Sequence, residues 1–161
     1  MKKFMIMCMM LLATTLTFTA CGDDDDDNPV DNPVNNPEQA EVNQDNYYKY
    51  QESVQIQKYG TMTMIGEATF ENGVCKAVQF TYIYPSKSFA SQVWKSYQAD
   101  AANDPEWAEE FNKYYSYDGN KTMYQRLPDE DVASMAQLGK QYVCGIVKST
   151  VQTTVEALGQ L

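Results

Sequence analysis

Asn72-Gly73 lies between two runs of alternating residues, Thr61 to Phe70 and Val74 to Tyr84. A type I′ turn needs positive φ at both central positions, which Asn and Gly tolerate and bulkier residues resist. The dipeptide therefore predicts a β-hairpin from Thr61 to Tyr84. With a two-residue turn, Phe70 faces Cys75, Ala68 faces Ala77, Met64 faces Thr81 and Met62 faces Ile83, all on one face. The opposite face then carries Ile65, Val78, Phe80, Tyr82 and Tyr84 among Thr63, Glu67 and Lys76. A slip of one residue would exchange the two sets. Both faces are fairly apolar, which predicts a central position in a sheet.

Flanking segments extend this hairpin. Tyr47 to Tyr59, with Tyr48, Tyr50, Val54 and Ile56, reads as a strand of the same sheet. After Pro85, the spacing of Phe89, Val93, Tyr97 and Ala101 predicts a helix over Ser86 to Ala102, with Ser86 or Ser88 as its cap. Asp104-Pro105-Glu106 supplies an N-cap, a proline at the first helical position and a first-turn acid. Trp107, Phe111 and Tyr114 give the following helix its apolar stripe. Asp118-Gly119-Asn120 predicts a second hairpin between Tyr114 to Tyr117 and Lys121 to Leu127. Beyond Pro128, Val132, Met135, Gly139, Tyr142, Val143 and Ile146 keep a helical period. Val143 to Val155 is rich in β-branched residues and contains Gly145, so a strand or a kink there stays open.

Hairpins followed by helices, without strict βαβ alternation, predict an α+β domain. Its expected form is an antiparallel sheet of four to five strands with two to three helices on one face. Residues 46–161 are enough for one domain with one core. All twelve tyrosines and both tryptophans fall within it.

Residues 1–45 read differently. Lys2 and Lys3 precede an apolar run from Phe4 to Phe18, about fifteen residues, which is short of the roughly 20 needed to span a bilayer. Then come Ala20, Cys21, Gly22 and five aspartates, Asp23 to Asp27. This pattern resembles the signal peptide and lipobox of bacterial lipoproteins, with Phe18 where that pattern usually has an aliphatic residue. The resemblance covers residues 1–27 only. It implies cleavage after residue 20, a lipid on Cys21 and attachment to a membrane. The acidic run also resembles the export signal of surface lipoproteins in some Gram-negative anaerobes, which implies an outer-membrane, surface-exposed location, with a periplasm-facing one as the alternative. From Gly22 to Asp45 the composition is mainly Asp, Asn, Pro, Val, Glu and Gln, with three prolines and no aromatic residue, and residues 21–45 are expected to form a lipidated, disordered tether.

Nine of the twenty-two acids sit in that tether, leaving thirteen acids against ten bases in residues 46–161. The low isoelectric point is thus a property of the tether, and a near-neutral domain argues against nucleic acid as a ligand. The chain contains no histidine, which removes the commonest general base and zinc ligand. No nucleophile elbow, phosphate loop or dinucleotide fingerprint occurs. An unbroken aspartate run repels itself and does not form the turned oxygen cage that calcium needs. No catalytic residues, metal or cofactor are therefore expected.

Two features remain. Cys75 and Cys144, the thiols of the domain, are placed to meet, either as a disulfide suited to an oxidising envelope or as packed free thiols. Tyr82, Tyr84, Trp107, Tyr115 and Tyr117 are the candidate binding aromatics, since rings with polar tips suit protein interfaces and sugar stacking; the competing reading is core packing. The function expected is display of a small non-catalytic domain that binds a protein or glycan. The alternatives are a structural subunit of an envelope assembly, or an enzyme that works with carboxylates or lysine.

Overall fold

The computed structural model describes residues 39–160. The expected signal segment, Cys21, the aspartate run and most of the expected tether lie outside the described residues. Six strands form one sheet: β1 (Gln39–Gln44), β2 (Tyr47–Ile56), β3 (Gly60–Glu71), β4 (Val74–Ile83), β5 (Tyr115–Tyr117) and β6 (Thr122–Arg126). Among the described residues the helices are α1 (Lys87–Asn103), α2 (Pro105–Tyr114), α3 (Asp129–Met135) and α4 (Lys140–Leu158). Strand order is β1-β2-β3-β4-β6-β5, and every neighbouring pair is antiparallel. The fold is α+β, with one more strand than the upper expectation. That strand is β1, in a stretch whose composition predicts tether; its backbone pairs with β2 from Gln39↔Glu52 to Gln44↔Tyr47.

The expected β3–β4 hairpin forms, with Asn72 at φ 52° and Gly73 at φ 79°. Its register holds only near the turn. Phe70 faces Cys75, but Thr69 already faces Ala77, Ala68 faces Val78 and Met64 faces Tyr82. Lys76 is the extra residue of a β-bulge, and it inverts the facing of β4 beyond it. Val78, Phe80, Tyr82 and Tyr84 therefore join Met62, Met64, Ala68 and Phe70 on one buried face. This corrects the two-face assignment. The reason is apolar area: the bulge brings both hydrophobic sets to the same side and leaves Thr63, Glu67, Thr69 and Gln79 on the other.

Helix α4 covers that face through Val143, Val147, Val151, Val155 and Leu158. The four-residue spacing of its valines makes a continuous stripe, and the segment whose state was open is helical throughout. It crosses the sheet at Gly66, where a Cβ would lie 2.6 Å from Val147 Cγ1 and 2.9 Å from Val151 Cγ2. Its start corrects the single helical period expected from Val132 to Ile146. Extended backbone at Gly139 (ψ 149°) separates α3 from α4, and this split raises the helix count above the two to three expected.

The α1 and α2 starts follow the sequence. Ser86 accepts from the Phe89 N–H at 3.1 Å, and Asp104 accepts from the Glu106 and Trp107 N–H groups at 3.0 and 3.2 Å. These helices lie on the same side of the sheet as α4, against Tyr84 and β5. Phe89 stacks on Tyr84 at 5.8 Å, Trp94 meets Tyr117 at 5.6 Å and Trp107 meets Tyr115 at 5.4 Å.

Candidate functional site

The aromatic residues singled out in the sequence do not make an open platform. Tyr82 and Tyr84 are core residues, 7% and 3% exposed, because the bulge turned them inward. The Tyr82 hydroxyl donates to Gln125 Oε1 at 2.7 Å, and burial pushes the Tyr84 phenol up from its ordinary pKa. Trp107, Tyr115 and Tyr117 are half-buried. They clamp α1 and α2 onto β5 through Trp94 and Phe111, with centroid separations of 4.7 Å for Trp94 and Phe111 and 5.6 Å for Phe111 and Tyr115. Cys75 and Cys144 are both buried free thiols, and desolvation raises both from the ordinary thiol value. Among the described residues no group of three or more His, Cys, Asp or Glu side chains is arranged to hold a metal.

A different set of residues forms a cleft of about 570 Å³ between β1 and α4. Glu41 and Asn43 make the β1 wall, Tyr48 lies on the floor, and Lys140, Gln141, Cys144, Gly145 and Lys148 make the α4 wall. The helical spacing produces that wall: positions 140, 144 and 148 are successive turns, and 141 and 145 follow one step round on the same side.

Glu41 is fixed from two directions. The Tyr48 hydroxyl donates to its Oε1 at 3.0 Å, and Lys148 Nζ donates to its Oε2 at 2.6 Å. The Lys148 hydrogen bond holds the Glu41 carboxyl below the ordinary carboxylate range, with a smaller contribution from Tyr48. Tyr48 shifts the other way: burial, then the Glu41 carboxylate, raise its phenol. Lys148 also lies over the Tyr50 ring, 5.0 Å from its centroid. Tyr50 in turn donates to the buried Glu52 at 2.7 Å, and its pKa is pushed up to about 12, first by burial and then by that bond. At the other end Lys140 Nζ donates to the Gln44 carbonyl at 2.5 Å and lies 5.6 Å from the Phe70 ring centre.

The cleft lining holds one carboxylate, Glu41, and one thiol, Cys144. Its thiol is raised toward the protonated state, which is the poorer nucleophile. What the walls offer is a carboxylate, two amides, a phenol and two ammonium groups, a mixture of donors and acceptors for a polar ligand.

None of the cleft residues except Cys144 was anticipated as a site residue. Glu41 and Asn43 fall in the stretch whose composition predicts tether, and Lys140 and Lys148 carry no motif. The available signal was the i, i+4, i+8 spacing of Lys140, Cys144 and Lys148 beside an otherwise apolar helix stripe. Comparison with protein-family models, with curated proteins and with solved structures returned no match.

Proposed function

We propose that this chain is a lipid-anchored envelope protein that displays a non-catalytic α+β domain on a stalk, and that the domain binds a glycan or protein partner in the β1–α4 cleft. The observation that carries the anchoring is Cys21, placed after Ala20 at the end of an apolar run and followed by Gly22 and five aspartates. Residues 22–38 separate this thiol from the first strand, and drawn out they reach about 60 Å. The tether enters β1, so the wall bearing Glu41 and Asn43 is the part of the domain nearest the attachment in sequence. The outer-membrane surface is the location this reading assigns, with the acidic run as its export signal.

Cell fractionation tests it. The wild-type chain is expected in the membrane pellet and extractable only by detergent, and a Cys21→Ala variant in the soluble fraction or retained as unprocessed precursor. Equal partitioning of both into the soluble fraction contradicts anchoring. Partner binding is tested by capture from envelope extract with wild type against a Lys140→Glu, Lys148→Glu variant; equal capture by both contradicts a role for the cleft.

One observation favours a structural-subunit reading as the second choice. All six residues of β1 are exposed and β1 is a sheet edge, so its outer backbone groups suit strand pairing with a neighbour. Sedimentation of the purified chain as a stable oligomer would favour this reading.

A further inference from the structure

Gly145 stands at the sixth position of a nineteen-residue helix, where glycine weakens a helix relative to alanine. Packing does not require it: a Cβ built there meets nothing within 4 Å, in contrast to Gly66. Yet Gly145 lines the β1–α4 cleft. Gly145 costs helix stability, has open space where a Cβ would sit and faces a cleft, so it leaves the helix backbone bare for something that lies against it.

The chemistry at the two ends says what that is. At the Lys140 end the ammonium group uses one of its three donors on the Gln44 carbonyl. The first turn of α4 lies at the same end and has no side-chain cap, so the positive end of its dipole adds to the lysine charge. This end suits an anionic group. At the Lys148 end the charge is neutralised by Glu41 at 2.6 Å, and the pair presents donors and acceptors together. Lys140 and Lys148 are eight residues apart on one helix, a rise of about 12 Å. Between them Asn43 and Gln141 each carry both a donor and an acceptor, as hydroxyl groups do.

We infer that the cleft binds a carboxylated glycan segment about two sugar units long, with its carboxylate at Lys140, its neutral hydroxyls shared among Asn43, Gln141 and the Lys148–Glu41 pair, and a ring face against Gly145. One net positive charge on the lining matches one carboxylate. An acidic peptide is the poorer fit, because Glu41 repels further acids while accepting hydrogen bonds from sugar hydroxyls. The inference rests on the partner-binding reading of the cleft and is independent of the lipid on Cys21.

The test is calorimetric titration of the purified full-length chain with a glucuronic acid–galactose disaccharide, with lactose and an acidic tripeptide as controls. Binding of the uronate disaccharide is expected, weaker at high salt, and at least about tenfold weaker for lactose and for a Lys140→Met variant. Gly145→Ala is expected to raise the melting temperature by about 3–5 °C while weakening the disaccharide, and Gly145→Leu to abolish binding in a folded protein. Absence of uronate binding overturns the inference, as does equal affinity for lactose or tighter binding of the tripeptide. So does a Gly145→Leu variant that still binds. If the disaccharide fails while wild type still captures a partner from envelope extract that the Lys140→Glu, Lys148→Glu variant does not, only the ligand assignment falls.

Discussion

Two glycines on facing elements mark opposite demands at the residue scale. Gly66 is needed for close approach: the Cβ of an alanine there would meet Val147 at 2.6 Å and Phe80 at 3.2 Å. Gly66→Ala is expected to destabilise the domain by about 1–3 kcal/mol, the usual cost of overpacking a core, as measured by urea unfolding. An unchanged midpoint would mean that α4 shifts without penalty. The Glu41–Lys148 pair carries the pH dependence. Because the folded-state pKa of Glu41 is lowered below the ordinary 4.5, its contribution is complete above pH 4.5 and is lost as pH falls through the folded value. Both side chains are about two-fifths exposed, 39% and 40%, so solvent screens the effect and it is small. A Lys148→Met variant is expected to lose less stability than wild type between pH 5 and pH 3. A parallel pair of pH profiles would contradict the assignment.

Element boundaries were largely legible where backbone chemistry dictates them. Asn72-Gly73 fixed one turn, and Asp104-Pro105-Glu106 fixed the start of α2. At Asp118-Gly119-Asn120 the Asp118 carboxylate accepts from the Asn120 and Thr122 N–H groups at 2.7 and 3.0 Å. These bonds hold its carboxyl below the usual range, Thr122 contributing most. Removing a cap of this kind has a known scale: Asp104→Ala is expected to destabilise α2 by about 1 kcal/mol, seen as a lower unfolding midpoint with an unchanged m-value. The β4 facing was legible in principle but required counting apolar residues on both sides of Lys76. Local turn chemistry sets register only as far as the first bulge, and core area sets it afterwards. Strand β1 was the least legible element. Its residues, QAEVNQ, are exposed in the fold as they would be in a coil, so composition carries no signal for it. It is a strand because Tyr47 to Glu52 offers it a partner edge.

For the molecule as a whole, acids crowd the sequence before residue 46 and every tyrosine and tryptophan follows it, which divides the chain into two parts of different composition. The candidate site lies where these two meet in sequence, between the first strand after the tether and the last helix. That juxtaposition depends on a contact between residues about one hundred positions apart, such as Glu41 with Lys148, and no local pattern announces it. The aromatic residues that sequence composition favoured as a binding surface serve instead to fill the sheet–helix layer, because a domain with twelve tyrosines and four phenylalanines builds much of its interior from tyrosine. The envelope assignment stands on residues 1–27, and its most direct test is mass spectrometry of the N-terminal peptide of the chain purified from membranes of a Gram-negative host. The account predicts a peptide that begins at Cys21 and carries thioether-linked diacylglycerol. A peptide beginning at Met1, or one containing an unmodified Cys21, would contradict it.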